Sequence, residues 1–278
     1  MAELPRSASG KTAAAVARDC ARTASAIIMD RFRGAGARSE QMAPQRTRKG
    51  RGNFVTETDL ACEKAVLALL AAEYPAHPVL SEETAAAVED WRRGWLWVVD
   101  PLDGTHNFSQ GIPLFAFNIA LCHDGEPVLG LTFAPATGDE FCAQAGRGMT
   151  VNGEPARVSA TRSLAESVWG MDMGYDDARA ARLIGLVAEV WPGVQSVRVI
   201  GSAALGLAFA ACGRYDLFVH HYLFPWDVAP GILMVREAGG VIVDREGGPV
   251  SLYSEGVVAG AAGPVQDFLR LSRGKAWR

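Results

Sequence analysis

Two aspartates, Asp100 and Asp103, stand three positions apart at the end of an apolar run, and Gly104 and Thr105 follow at once. A strand that ends in this way presents two hard oxygen ligands, and the turn beyond it leaves backbone N–H groups free. Carboxylate oxygens suit Mg²⁺, while free N–H groups suit an anion such as phosphate. This spacing therefore predicts phosphate chemistry assisted by a divalent cation.

Further carboxylates occur at three other points: Asp59 at a predicted helix start, Glu82 and Glu83 after a strand-like segment, and Asp227 at another helix start. Taken singly, the two aspartates are typical helix caps, and the two glutamates are a solvated pair. If the groups converge in space, each pair about 4 Å apart repels by about 4 kcal/mol at an effective dielectric near 20. Such a cluster recruits a cation, and Mg²⁺ shares its remaining coordination positions with phosphate oxygens.

The elements that must position these groups fall into two patterns. Helices are predicted over 12–32 and 61–73, and a buried strand over 95–99 delivers the first aspartate pair. From 114 to 158, short strands alternate with turns, which is typical of an antiparallel meander. The second half alternates strands and helices, which favours an α/β layer structure. Its strands are predicted over 168–171, 194–199, 217–219 and 241–243, and its helices over 178–190, 203–211 and 228–238.

The chain as a whole predicts one catalytic domain over 1–278. Its length suffices for a large core, and the sequence contains neither an internal repeat nor a low-complexity linker. We expect residues 1–158 to form an α+β subdomain with an antiparallel sheet and the metal site. Residues 159–278 are expected to form an α/β subdomain that completes the substrate site.

Composition and charge argue against several functional classes. A net charge of −4 gives no general basis for binding nucleic acid or an anionic membrane. Five scattered cysteines without a C-x-x-C pattern indicate reduced thiols. The start of the chain lacks the apolar region of a secretory signal, and no apolar run has the length of a membrane span. We therefore expect a cytoplasmic protein.

Two segments are predicted to lack regular structure. Residues 1–10 are expected to form a loose tail, and residues 34–52, rich in glycine and arginine, a mobile basic loop. A nucleic-acid role for that loop has weak support because few aromatic residues are interleaved with its cations. A solvated loop is the simpler interpretation.

Joined to their flanks, the acidic groups resemble the signatures of the inositol monophosphatase family. The stretch 97–108 resembles the first signature, an apolar strand followed by Asp-Pro-(Ile/Leu)-Asp-Gly-Thr-x-Asn-Phe. The stretches 225–231 and 235–240 resemble the second, Trp-Asp-x-Ala-x-Gly and then Glu-Ala-Gly-Gly. Further similar elements are 54–59, 80–83, 201–204 and 212–216. They occur in the family's order.

The resemblance implies a layered αβαβα sandwich of the inositol monophosphatase and fructose-1,6-bisphosphatase type, which is an α+β or α/β fold. It also implies a homodimer and hydrolysis of a small phosphate monoester by a water activated by two or three Mg²⁺ ions, often inhibited by Li⁺. The implied metal ligands are Glu82, Asp100, the Leu102 carbonyl, Asp103, Asp227 and, at a weaker third site, Asp59. The implied catalytic residues are Glu82, Thr105 and Asp103, the first two positioning the attacking water. The implied substrate contacts are Gly104, Thr105, His106, Gly201, Ser202, Ala203 and His220.

One departure from the family concerns the substrate. Inositol phosphatases of the family often carry a Glu seven residues before the second-signature Asp, where it bonds sugar hydroxyls. Here that position is His220, which can bond a hydroxyl but can also carry a positive charge; a strand-end histidine with ordinary partners is an equal interpretation. A second departure is that the family's lysine before the Thr-x-Thr-Asp element corresponds only loosely to Lys49 or Arg48.

The substrate alternatives therefore stay open. Inositol monophosphate is favoured, with histidinol phosphate, fructose 1,6-bisphosphate and 3′-phosphoadenosine 5′-phosphate as alternatives within the class. The alternative from another class is a non-catalytic binding or regulatory protein on the same fold. The intact set of acidic residues argues against it.

Overall fold

The computed structural model describes residues 4–32, 46–48, 54–84 and 91–277. Its helices are α1 (Ala13–Arg31), α2 (Glu57–Glu73), α3 (Thr105–Gln110), α4 (Asp177–Val190), α5 (Ala203–Ala211), α6 (Pro225–Glu237) and α7 (Ala262–Leu271). Its strands are β1 (Arg46–Arg48), β2 (Phe54–Thr56), β3 (Val79–Ser81), β4 (Trp95–Asp103), β5 (Ala116–His123), β6 (Glu126–Ala134), β7 (Asp139–Gln144), β8 (Gly148–Val151), β9 (Glu154–Ala156), β10 (Val168–Asp172), β11 (Ser196–Val199), β12 (Leu217–His220), β13 (Val241–Asp244) and β14 (Val257–Gly260). None of these described helices is both long and apolar enough to cross a bilayer. Most of the predicted basic loop 34–52, and with it Lys49, lies outside the described residues.

A seven-stranded sheet carries the first signature. Its order is β3-β4-β5-β6-β7-β8-β9, with β3 and β4 parallel and each later pair antiparallel. The meander predicted over 114–158 is thereby confirmed. Along β4, Trp97 and Val99 pack on one side of the sheet, and Leu96 and Val98 pack on the other. Because both faces of this strand are buried, its sequence is a continuous apolar run.

Helices α1 and α2 cover the outer face of this sheet and complete one hydrophobic cluster with it. Helix α2 begins at Glu57, four residues before the predicted start. The hydroxyl oxygen of Thr56 accepts hydrogen bonds from the backbone N–H groups of Thr58, at 3.1 Å, and Asp59, at 3.4 Å. A capping threonine satisfies donors that the first helical turn leaves unpaired, so the helix extends back to it.

The second sheet has the order β11-β10-β12-β14-β13. Strand β10 is parallel to both β11 and β12, as the predicted α/β alternation requires, whereas β14 is antiparallel to β12 and β13. The sequence analysis identified neither β14 nor α7, so the sheet is mixed where an α/β sheet was expected. Strand β14 has only four residues, Val-Val-Ala-Gly, which is too short for a recognisable strand pattern in the sequence. Its pairing with two other strands shows that it is a strand.

Helices α5 and α6 lie between the two sheets, and α4 and α7 cover the far side of the second sheet. Close approach in the middle layer depends on glycine. A Cβ atom on Gly130 of β6 would lie 2.8 Å from Pro230 Cα in α6, and one on Gly206 of α5 would lie 2.1 Å from the ring of Phe218 in β12. The layers follow the order helix, sheet, helix, sheet, helix, which confirms the predicted αβαβα sandwich.

Two expectations about local structure are wrong. Residues 4–10 are not a loose tail, because Ala8 N donates to Glu73 O at 2.8 Å and the Tyr74 hydroxyl donates to Pro5 O at 3.0 Å. These bonds fix the segment against the end of α2. The strand predicted over 95–99 continues to Asp103, so the two aspartates of the first signature belong to the strand itself rather than to a turn after it.

Candidate metal and phosphate site

The carboxylates of Asp100, Asp103 and Asp227 converge, with one oxygen atom of each within 4.8 Å of the others. In a regular strand, residues three apart point to opposite faces. The pairing of β4 with β5 shifts register between Asp100 and Asp103, with Pro101 between them unable to donate a ladder hydrogen bond. This irregularity lets both side chains reach one cluster.

Asp59 and Asp227 occupy equivalent positions in two different helices. Each is the third residue of its helix, and each accepts a hydrogen bond from the backbone N–H group just before the helix, Thr56 N at 2.8 Å and Phe224 N at 2.7 Å. The capping interpretation of these aspartates is therefore correct in part. A carboxylate at a helix N-terminus also gains from the helix dipole, which holds it in place beside the site.

Burial and mutual repulsion change the acidity of the cluster. Burial raises the pKa of Asp100 well above its ordinary value, and the charges of Glu82, Asp103 and Asp227 raise it further. Burial likewise raises the pKa of Asp227, with the charge of Asp103 adding to it. The pKa of Asp103 rises to about 6 because of burial, although hydrogen bonds from Ser202, Ala204 and Ala203 oppose the shift. Carboxylates held this way favour a cation among them.

Thr105 links the cluster to Asp59. Its hydroxyl oxygen lies 2.9 Å from both Asp59 Oδ1 and the Leu102 carbonyl oxygen, so its single proton is donated to one of the two. Asp59 thus lies next to the threonine expected to position the attacking water. The resemblance had implied only a more distant metal for it. Burial raises the pKa of Asp59, while the bonds from Thr56 and Thr105 lower it.

Gly104 gives the turn that precedes α3 its shape. Its φ of +83° lies in the left-handed region, and a Cβ atom there would lie 2.9 Å from Leu114 O and 3.2 Å from Gly201 O. Only glycine fits this position without strain. The backbone N–H groups that follow, including that of His106, belong to the first turn of α3 and have no acceptor within that helix.

Glu82 is half-buried, and its negative charge acts on both Asp100 and Asp227. The turn that carries it is held by Glu63 of α2. Glu63 Oε1 accepts hydrogen bonds from Glu83 N at 3.0 Å and Thr84 N at 3.1 Å. Glu63 is buried, and the sequence analysis did not identify it.

The residues at the start of α5 form hydrogen bonds with Asp103, in addition to lining the predicted substrate site. The Ser202 hydroxyl donates to Asp103, and Ala203 N and Ala204 N each lie 3.2 Å from its carboxylate oxygens. Gly201 lies beside Asn107, whose side-chain amide donates to Ile200 O at 2.6 Å. Of these positions, Ser202 and Ala203 therefore have a role that the resemblance did not imply, which is to orient Asp103.

A cavity of about 330 Å³ opens beside the cluster. Its lining includes all seven implied substrate contacts, together with Asp103 and Asp227 and the side chains of Met173, Tyr175 and Tyr222. A larger cavity of about 490 Å³ lies near the start of α1, but no carboxylate lines it among the described residues. The smaller cavity is therefore the candidate active site.

His220 lies in the wall of this cavity and is 4% exposed. Its Nδ1 accepts a hydrogen bond from Tyr222 N at 3.2 Å, so the proton of the neutral ring is on Nε2. Burial, together with neighbouring His221, lowers the pKa of His220 to about 3. The ring is therefore neutral near pH 7, and the interpretation of His220 as a positive charge is not supported.

Asn118 and Asp172 are further site residues that the sequence analysis missed. Asn118, opposite Asp100 in the sheet, donates to Trp226 O at 2.7 Å and so fixes the start of α6 beside Asp227. Asp172 ends β10 and lies in the cavity wall. The available signal was a lone polar residue in, or at the end of, an apolar strand, the same signal that identified Asp100.

Comparisons with known proteins agree with this geometry. The family model for the inositol monophosphatase family matches residues 11–273. The chain belongs to the inositol monophosphatase family. It is 36% identical over 227 residues to an inositol monophosphatase of Dictyostelium discoideum, covering 80% of this chain and 84% of that protein. It is 37% identical over 213 residues to the Nus factor SuhB of Pseudomonas aeruginosa, covering 75% and 78%.

The crystal structure of the extragenic suppressor protein SuhB from Bartonella henselae has the same fold. The TM-score is 0.84 at 34% identity, and the match covers 94% of this chain and 98% of that one. Family membership confirms the expected phosphoric monoester hydrolase and, at the coarser level, a metal-dependent enzyme that acts on a small phosphorylated molecule.

Proposed function

We propose that this protein is a Mg²⁺-dependent phosphomonoesterase that hydrolyses a small polyol or sugar monophosphate, inositol monophosphate first among them. The observation that carries the proposal is the convergence of Asp100, Asp103 and Asp227 beside the cavity that holds Thr105. Carboxylates from two distant parts of the chain meet where a phosphate ester has room to bind.

The donor set fits Mg²⁺. Its groups are hard oxygens, their burial and repulsion raise their pKa values, and a divalent cation relieves both costs. Glu82, Asp100, the Leu102 carbonyl, Asp103 and Asp227 would hold two ions, with a third near Asp59. When bound, Mg²⁺ supplies positive charge to the phosphoryl oxygens and promotes ionisation of the attacking water.

The protein's own groups have separate roles. The Thr105 hydroxyl, oriented by Asp59, accepts a hydrogen bond from the attacking water, and Glu82 receives a proton from it. The N–H groups of Gly104, Thr105 and His106 bind the phosphoryl oxygens. The wall formed by Gly201, Ser202, Ala203 and His220 contacts the leaving alcohol, to which His220 Nε2 donates a hydrogen bond.

The charges in the cavity favour one phosphate over two. No lysine or arginine lines it among the described residues, so a second phosphate has no cationic partner there. Fructose 1,6-bisphosphate and 3′-phosphoadenosine 5′-phosphate each carry two phosphate sites, and they become weaker alternatives. Inositol monophosphate and histidinol phosphate each carry one.

Phosphate release tests the proposal. The full chain is assayed with inositol phosphate, histidinol phosphate, fructose 1,6-bisphosphate and 3′-phosphoadenosine 5′-phosphate, with Mg²⁺ and with a chelator. We expect hydrolysis of the monophosphates only with Mg²⁺, and an Asp100→Asn variant should lose it. Near-normal turnover of Asp100→Asn at saturating Mg²⁺ would contradict the assigned metal site.

A second candidate function is a regulatory binding role, which the relatives named Nus factor SuhB support. The convergence of Asp100, Asp103 and Asp227 favours catalysis. If no substrate in the panel is hydrolysed with Mg²⁺, the regulatory role becomes the better proposal. We further propose a cytoplasmic homodimer inhibited by Li⁺. Light scattering tests the dimer, and titration of the same assay with Li⁺ tests the inhibition.

A further inference from the structure

We propose that Asp172 is a positioning residue for the metal ligand Asp103, acting through the backbone of residues 200–204. This inference rests on the proposed function only in taking Asp103 as a Mg²⁺ ligand. Asp172 is buried, at 4% exposure, at the end of β10, which lies between β11 and β12 in the second sheet. No metal ligation is implied for it, and one of its carboxylate oxygens bonds to backbone amides.

The first step of the argument is the bond between Asp172 and the loop before α5. Asp172 Oδ1 accepts hydrogen bonds from Ile200 N at 3.0 Å and Gly201 N at 2.6 Å. One carboxylate oxygen thus holds two successive amides. Gly201 has a φ of +71°, a conformation that side chains other than glycine rarely adopt, so the bend at this point is sharp and its direction is fixed.

The second step is that the next three residues hold Asp103. Directly after the bend, the Ser202 hydroxyl, Ala203 N and Ala204 N bond to the two oxygens of Asp103. The segment 200–204 is therefore bonded to Asp172 at its first two residues and to Asp103 at its last three. Asp172 belongs to the second sheet and Asp103 to the first, so this short segment joins the two sheets at the site.

Asn107 holds the same segment from a third side. Its side-chain amide donates to Ile200 O at 2.6 Å and to Leu114 O at 2.7 Å. The carbonyl group of Ile200 is therefore held by Asn107, and its N–H group is held by Asp172. A metal ligand must point its lone pairs at the ion, and the groups that orient ligands commonly change metal affinity by about 10- to 100-fold when removed. Loss of Asp172 should therefore act on Mg²⁺ binding.

The geometry also supplies a rescue variant. Asp172 Oδ2 is buried without a hydrogen-bond partner among the described residues. An Asn in its place keeps the acceptor for both amides and loses no existing bond, whereas Ala removes the acceptor. Asp216 supplies a matched control, because it is a buried carboxylate directly before β12 of the same sheet. It accepts hydrogen bonds from Val168 N at 2.6 Å and from the Thr161 hydroxyl at 2.6 Å, away from the residues 200–204.

The test is Mg²⁺ binding to the full chain by titration calorimetry, with phosphate release measured in parallel. We expect Asp172→Ala to weaken Mg²⁺ binding about tenfold or more and to raise the Mg²⁺ concentration needed for half-maximal rate, while Asp172→Asn restores most of the affinity. Asp216→Ala should lower the melting temperature without changing Mg²⁺ affinity.

Wild-type affinity in a folded Asp172→Ala variant, or equal weakening in Asp216→Ala, would overturn the inference. If the alanine variant does not fold, the Asp172→Glu variant replaces it in the test. The longer side chain displaces the acceptor oxygen, so this variant should bind Mg²⁺ more weakly than Asp172→Asn does. Equal Mg²⁺ affinities of these two variants would reject the inference. A wild-type protein that binds Mg²⁺ but releases no phosphate refutes the proposed function alone. One that binds no Mg²⁺ refutes the metal site and this inference together.

Discussion

Each buried carboxylate at this site is distinguished by the donors that it receives. Asp59 accepts a hydrogen bond from Thr56 N and lies 2.9 Å from the Thr105 hydroxyl oxygen, and Asp172 accepts from two backbone amides. Within the described part of the chain, Asp100 accepts one hydrogen bond, from Leu102 N at 3.0 Å, and faces three other acidic groups. A buried carboxylate with so few donors needs a cation to balance its charge. Asp100 is therefore expected to be the ligand that is least tolerant of change.

The Thr105 hydroxyl should be essential for catalysis. Thr105→Val keeps the shape of the side chain but removes the group that lies 2.9 Å from Asp59 Oδ1. Because general-base assistance contributes about 10²- to 10⁴-fold in rate, we expect kcat to fall by about a hundredfold or more. Thr105→Ser, measured in the same phosphate-release assay, should keep most of the rate. Equal rates for the two variants would remove the hydroxyl from the proposed mechanism.

His220 should control which alcohol is released. The neutral ring donates from Nε2, whereas a Glu at the same position accepts hydrogen bonds. Replacing a hydrogen-bond donor by an acceptor changes the binding free energy by about 1 kcal/mol or more. His220→Glu should therefore change the ratio of kcat/KM for inositol phosphate and histidinol phosphate by about tenfold.

The control for this prediction is His123→Glu, at the end of β5 and away from the candidate cavity. It should leave the ratio of the two substrates unchanged. A ratio that does not respond to His220→Glu would show that the wall around Gly201 selects the substrate without the histidine.

At the scale of elements, helix α6 must lie close to the first sheet because it carries Asp227. Gly130 of β6 makes this possible: a Cβ atom there would lie 2.8 Å from Pro230 Cα and 3.0 Å from Pro230 O. These are backbone atoms and cannot move aside without moving the helix. We expect Gly130→Ala to lower the free energy of unfolding by about 1–3 kcal/mol and to weaken Mg²⁺ binding as Asp227 shifts.

Gly185 of α4 is the matched control for this substitution. A Cβ atom on Gly185 meets nothing within 4 Å, and alanine favours a helix more than glycine does. Gly185→Ala should therefore raise the free energy of unfolding by about 0.5–1 kcal/mol in urea denaturation and leave Mg²⁺ binding unchanged. If Gly130→Ala behaves in the same way, the contact between β6 and α6 does not position the site.

At the scale of the whole molecule, the acidic cluster should make the metal-free protein less stable as the pH rises. Burial raises the pKa of Asp103 to about 6 and that of Asp172 to about 7, against about 4 in an unfolded chain. Between these values the folded state binds more protons than the unfolded state, so the free energy of unfolding falls as the pH rises from about 4 to about 7. Urea denaturation with a chelator at several pH values measures this.

His220 acts in the opposite direction, since its pKa of about 3 lies below the unfolded value near 6.5 and folding is disfavoured as the pH falls. Comparison with Asp103→Asn separates the two effects. That variant should lose part of the fall in the free energy of unfolding between about pH 4 and pH 6 and keep the pH dependence due to His220.

Mg²⁺ at about 100 times its Kd should stabilise the wild type by about 2.7 kcal/mol at pH 7. A wild type whose stability does not depend on pH or Mg²⁺ would contradict the buried cluster.

Much of this protein follows from its sequence because the deciding signals are local. An apolar run ending in Asp100, capping residues before Asp59 and a Pro-Trp-Asp helix start are each readable within a few positions, and they gave the family, the layered fold and the metal ligands as predictions. The strand β14 and the tail at 4–10 were missed because their structure depends on distant partners, two neighbouring strands and the end of α2 respectively.

The sequence by itself determined the types of the chemical groups and the elements that carry them. Only the tertiary structure decided which of them meet: Thr105 with Asp59, Ser202 with Asp103, and His220 as a neutral donor in the cavity wall. The physical reason is that hydrogen-bond partners, burial and the resulting pKa values depend on distances between residues far apart in the chain. Residue types and spacing fix the available chemistry, and packing fixes which atoms perform it.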